Sequence, residues 1–138
     1  MELYFQSPRF RVFWDPAIST AIGAGEGFVD GEELRTGMDK GLELLIKNRS
    51  NKWLAEMSHR RVHTEEDQKW IVDDWTPRAV AAGLRYTAFV LPTSVIAKMS
   101  LKRMTHIVAE RSLEIGYFDD LEDARQWLKS VGAGKTGR

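Results

Sequence analysis

The segment Ser58-His59-Arg60-Arg61-Val62-His63-Thr64 holds most of the side chains in this chain that can do chemistry. Two imidazoles can exchange protons near neutral pH, and two guanidiniums can hold a carboxylate or phosphate. Thr64 precedes Glu65-Glu66-Asp67 and reads as the N-cap of a helix. The stretch before it then lies where a strand hands over to a helix N-terminus, a junction at which α/β folds bind ligands and helix N–H groups favour an anion. A ligand site made of Ser58, His59, Arg60, Arg61, His63 and Thr64 is therefore expected, with Trp70 and Trp75 as an aromatic wall. The plain alternative is a solvated loop ending in an ordinary cap.

Other constellations carry less. His59 and His63 have the spacing of two zinc ligands on a helix, but they precede Thr64 and no third ligand stands near, so no metal is expected. Asp73-Asp74 reads as an exposed helix face, and Glu65-Glu66-Asp67 as a first turn that complements the helix dipole. No Ser or Thr has an evident His and Asp partner, so a hydrolase triad is unsupported. Gly23-Ala-Gly-Glu-Gly-Phe28 has Phe28 where a dinucleotide loop needs its third glycine. Gly134-Lys135-Thr136 lacks the upstream glycine of a phosphate loop and no helix can follow it, so no nucleotide cofactor is expected. A phosphate on Thr64 would gain from Arg60 and Arg61 but meet three carboxylates, which argues against a phosphoswitch there.

These residues must be positioned by a small scaffold. The chain has 138 residues, near the size of one hydrophobic core, and a composition that fits an ordered globular domain. Twenty basic and twenty acidic side chains cancel, so nothing draws it as a whole to nucleic acid. It contains no cysteine, which excludes disulfides and thiolate chemistry and fits a cytoplasmic setting. The longest apolar runs fall far short of the ~20 residues of a membrane helix. Met1–Ser7 (MELYFQS) lacks only an Asn from the tag-removal sequence ENLYFQS and is expected to be a tag remnant outside the domain.

Phe10, Val12 and Trp14 alternate in a first strand, and Asp15-Pro16 turns it into a second over 18–24. Asp30 with Glu33 reads as a capping box opening a helix whose core stripe is Leu34, Met38, Leu42, Leu45 and Ile46. Gly37 and Gly41 flank that stripe and allow close approach to a sheet, offsetting the roughly 1 kcal/mol of helix propensity each loses. A third strand over 52–57 leads to the helix at Thr64, which Thr76-Pro77 should kink or restart before Gly83 stops it. Tyr86–Leu91 is a strand, and 94–111 a helix with Val95, Met99, Met104, Ile107 and Val108 inward. Leu113–Phe118 is the last strand, and Asp119 or Asp120 caps a final helix burying Leu121, Ala124, Trp127 and Leu128. The expected architecture is α/β: a mixed five-stranded sheet with an N-terminal β-hairpin, helices on both faces, one domain over 8–131 and a flexible tail over 132–138.

This element order, with KWLAEMS at 52–58, EDQKWIVDDWTPRAVAAGLRYTAFVLP at 66–92 and FDDLEDARQWL at 118–128, resembles the STAS-like, SpoIIAA-like group of small bacterial proteins, which includes members described as CRAL-TRIO-like. The resemblance spans Arg9 to Val131 and implies the SpoIIAA-like fold. The better-known relatives are switched by phosphorylation of a Ser in an Asp-Ser-Ser-Gly motif, which is missing here, where Ser58 and Thr64 occupy the region. The resemblance implies a non-enzymatic regulatory domain that binds a small molecule or a protein. The alternative is an enzyme using His59 or His63 as base and Arg60 or Arg61 to hold a small anionic substrate. A homodimer formed through exposed apolar surface is a third reading.

Overall fold

The computed structural model describes residues 1–61, 63–109 and 112–132. Residues 133–138, including most of the expected tail and the Gly-Lys-Thr triplet, lie outside the described residues. The elements are β1 (Glu2–Gln6), β2 (Phe10–Asp15), β3 (Thr20–Gly25), α1 (Gly31–Asn48), β4 (Lys52–Glu56), α2 (Glu65–Trp70), a π-helical turn (Ile71–Trp75), α3 (Thr76–Ala81), β5 (Tyr86–Val90), α4 (Val95–Ala109), β6 (Glu114–Phe118) and α5 (Leu121–Ser130).

The strands lie side by side in chain order, β1 to β6. The pairs β1/β2 and β2/β3 are antiparallel, and β3 to β6 run parallel. The sheet is mixed, as expected, but has six strands instead of five. The sixth is Glu2–Gln6, a segment placed outside the domain from its sequence, which pairs with β2 along one edge. Tyr4 donates to Glu43 of α1 at 2.8 Å, and Ser7 Oγ donates to Glu33 at 2.5 Å.

Each parallel connection advances one strand in the same direction, and crossovers of one hand then place every connecting helix on one face. Accordingly α1, the π turn, α3 and α4 share a core with Phe10, Val12, Ala21, Trp53, Ala55 and Phe89. Among the described residues only α5, which follows the last strand, covers the opposite face, with Ala124 and Leu128 against Ile22, Leu54, Ala88 and Val90. Lys52 is buried beneath it and donates to Leu128 O at 2.5 Å; burial holds its pKa below the ordinary lysine value.

Helix boundaries follow local chemistry, with instructive exceptions. Thr64 and Asp120 accept the N–H of Asp67 and Asp123 in ordinary caps. Asp30 sits at the N-cap of α1 without a side-chain cap bond, and Glu33 reaches back to Ser7 and the Arg9 N–H instead of closing a capping box. The Gly31 N–H is taken by Asp67 Oδ2, from α2. Thr76-Pro77 does restart the helix: the chain loosens into the π turn, where Thr76 N–H bonds to Ile71 O, and Pro77 enters α3 at its first turn.

Three expected core residues of α4 (Val95, Met99 and Ile107) are exposed, as is Ile46 of α1. The buried side of α4 is Ala97, Leu101, Met104, Thr105 and Val108. Trp127, expected at the core, is half-buried at the rim, 5.6 Å from Phe118 and 6.3 Å from Tyr86 between ring centroids. Trp127→Ala is therefore expected to cost about 2 kcal/mol, below the 3–5 kcal/mol of a fully buried Trp. Urea melts check this, and a loss above ~4 kcal/mol would mean the ring is wholly enclosed.

Candidate functional site

Between the helical layer and the sheet lies a small cavity of about 40 Å³. Its floor is Gly23, Trp53, Ala55, Thr87 and Phe89 of the sheet; its roof is Met38, Ile71, Trp75, Leu101 and Met104. Met57, Arg60 and His63 close it at the C-terminal ends of the parallel strands, where the chain leaves β4. A second void of about 10 Å³ adjoins the same Arg60, His63, Met57, Leu101 and Met104, and adds Gln68 and Ser100.

The expected site residues separate around this cavity. Ser58 folds back on its own strand, its N–H and Oγ both donating to Glu56 at 2.8 and 2.6 Å. His59 is exposed, and its carbonyl accepts the Gly27 N–H at 2.8 Å. Arg61 N–H donates to Gly27 O at 3.0 Å, so the loop runs as a short parallel extension beside the end of β3. This pairing alternates the side chains. Arg61 turns out over the Phe28 ring, 5.4 Å from its centroid, and Arg60 turns in. Thr64 acts as the cap of α2.

The two tryptophans part as well. Trp75 is buried in the cavity wall, its ring 5.4 Å from Trp53 and its Nε1 donating to Met38 O at 2.8 Å. Trp70 is half-buried outside the cavity lining, with Arg35 and Arg78 over its ring. The wall shared by Trp70 and Trp75 does not form.

Arg60 is the charged group of the cavity wall, only 7% exposed. Its guanidinium lies 5.2 Å from the Phe10 ring centroid, Nη1 meets Met57 Sδ at 3.5 Å, and Nη2 meets His63 Nδ1 at 3.5 Å. Burial holds its pKa down at about 10, against the pull of the Asp67 carboxylate. His63 keeps an edge in solvent but packs its ring inward, and burial, reinforced by Arg60, lowers it to about 3. Gln68 Nε2 ties the His63 carbonyl to α2 at 2.9 Å and reaches Ser100 of α4 at 3.4 Å.

A neutral His63 gives a pH signature. The unfolded chain binds a proton at His63 below about pH 6.5 and the folded chain resists it down to about pH 3, so stability falls as pH drops through that window. The slope from this one group is at most ~1.4 kcal/mol per pH unit. His63→Leu is expected to flatten the wild-type slope between pH 6 and 4, measured by urea melts. Parallel slopes for the two proteins would show that the imidazole is freely protonated.

Thr87, Gln68 and Met57 were not singled out by spacing, while Met38 and Met104 were expected only as core and Asp67 only in a first helical turn. The one visible signal is Thr87, the one aliphatic hydroxyl in the strand Tyr86–Val90. Among the described residues no group of three or more His, Asp or Glu side chains gathers as a metal site.

Fold and site together define an α/β protein with a six-stranded mixed sheet and a small, mostly apolar internal cavity guarded by one buried arginine. No helix among the described residues is long and apolar enough to cross a membrane. Comparison with family models, curated proteins and solved structures finds no match.

Proposed function

We propose that this chain is a non-enzymatic binding domain that takes a small molecule into the cavity at the C-terminal ends of its parallel strands, with a regulatory role of the kind the STAS-like resemblance implies. The observation that carries the reading is the cavity itself. A well-packed core of this size has few voids larger than a water molecule. This one lies at the strand ends where α/β folds place their ligands, with Met38, Met57 and Met104 as adaptable lining. The element order, two antiparallel strand pairs followed by alternating strands and helices, is in keeping with the SpoIIAA-like group.

The enzymatic alternative has less behind it. His59 faces solvent away from the cavity, and His63, held near a pKa of about 3, is a weak base at neutral pH. Native mass spectrometry of the purified chain tests the binding reading. A small molecule that stays with the folded protein, leaves on denaturation and is lost from an Ala55→Leu variant is the expected result. Protein free of adducts, with no thermal shift across a small-fragment set, would overturn it.

A further inference from the structure

The guanidinium of Arg60 is buried without a matching anion. Its Nε has no hydrogen-bond partner, and its two contacts through Nη1 and Nη2 are a thioether sulfur and an imidazole nitrogen, both at 3.5 Å. No carboxylate lies within ion-pairing distance of it among the described residues; Asp67 acts only from further off and is engaged by the Gly31 N–H. The contrast within the molecule is plain. Arg125 reaches the buried Asp15 with two nitrogens at 2.9 and 3.0 Å, and Arg78 bridges Asp39 and Asp74. A second unsatisfied atom, Thr87 Oγ1, lines the same cavity from the sheet. Buried polar groups in folded proteins are normally satisfied, and a charge is buried alone only at a penalty. Of the three buried side-chain atoms without a partner among the described residues, Arg35 Nε lies outside this cavity, and the other two belong to residues that line it.

We infer that the cavity takes a compact carboxylate monoanion with a short apolar body, its carboxylate on Arg60 and its tail among Met57, Leu101 and Met104. This rests on the binding reading and adds the ligand's chemistry. One guanidinium compensates one negative charge, and its planar donors match a carboxylate. A phosphate dianion would leave a second charge in a largely apolar space. The two adjoining voids, about 40 and 10 Å³, suit an acid of a few carbon atoms once the methionines adjust. Neutral His63 adds a ring nitrogen that can donate to the same carboxylate, and Thr87 Oγ1 can hydrogen-bond a polar group that reaches the sheet.

The test uses the full chain titrated at constant ionic strength with sodium formate, acetate, propionate and butyrate. Sodium chloride and the neutral analogue butanamide serve as references, with amide NMR and thermal melting as readouts. Saturable binding of acetate, propionate or butyrate, at least tenfold tighter than butanamide, is expected. It should be lost in Arg60→Met. Arg60→Met should melt at the wild-type temperature or above, because it removes an unpaired buried charge and keeps the aliphatic stem. Equal binding of butanamide and butyrate would overturn the charge assignment and leave the binding reading standing. Ordered water alone on Arg60, which no probe displaces, would also overturn it. A large drop in the melting temperature of Arg60→Met, with no carboxylate-induced NMR shift at the cavity residues of the wild-type chain, would make the guanidinium structural. No saturable binding by any probe, together with no co-purifying molecule, would sink both readings.

Discussion

Gly37→Ala is expected to destabilise the protein by about 2–3 kcal/mol, although alanine is the better helix former by roughly 1 kcal/mol. Gly37 sits mid-way along α1 on the side that faces the sheet, and an added Cβ there would overlap the ring of Phe10, a fully buried side chain of β2. One turn on, a Cβ at Gly41 would stand 2.5 Å from the Trp53 ring. The two glycines form a bare track along which α1 approaches the aromatic floor. Phe10 is enclosed and Trp53 is wedged against Trp75, so the only room for either ring is the small cavity that both line. An alanine must therefore push α1 outward and loosen contacts along its length. The decisive measurement is a double-mutant cycle by urea melts with Phe10→Leu, which trims the ring. The Gly37→Ala cost should shrink by more than half in that background, and an unchanged cost would place the clash elsewhere.

Those glycines were legible from the sequence because their signal is local: two missing side chains one turn apart beside an apolar stripe. The Thr64 cap, the restart at Pro77 and the hairpin through Asp15-Pro16 were legible for the same reason. Helix α4 was not. Its sequence places apolar residues on more than one face, and the side that packs inward is set by Ala97 and Thr105, which fit close to the sheet, instead of by the larger Val95, Met99 and Ile107. The capping box at Asp30 failed for a long-range reason, since its Glu33 carboxylate is taken by Ser7 and the Arg9 N–H between the first two strands.

The candidate site was half legible. The segment 58–64 does lie at the strand end beside a cavity, yet spacing cannot say which of two adjacent arginines turns inward. That choice belongs to the hydrogen bonds of Gly27 with His59 and Arg61, partners more than thirty residues apart in the chain. Thr87 and Met104 join the site only because parallel pairing sets β5 beside β4 and lays α4 across them. The expected wall shared by Trp70 and Trp75 asked two residues five apart on one helical stretch to face the same way. Positions five apart stand about 140° from each other around an α-helix, so the two rings leave the helix on different sides, Trp75 to the core and Trp70 to the rim.

Trp75→Ala is expected to carry the largest single cost, about 3–5 kcal/mol, the range for truncating a fully buried Trp. The ring is 3% exposed, stacks at a tilt on Trp53 and anchors the π turn to α1 through the bond from Nε1 to Met38 O. Trp75→Phe separates these parts. It keeps most of the apolar contact and removes the donor, so a loss of about 1–2 kcal/mol is expected, the scale of one buried hydrogen bond plus a small void. The alanine variant also joins the space of the missing indole to the existing cavity. Added indole is then expected to raise its melting temperature in a concentration-dependent way, because a ligand that binds only the folded form stabilises it by mass action. The wild-type protein, whose void of about 40 Å³ is far too small for an indole ring, should show no such shift. Urea melts supply the first two numbers and thermal melts with indole the third. A loss under ~1 kcal/mol in Trp75→Ala, or an equal indole shift in both proteins, would mean that the ring does not fill the cavity wall.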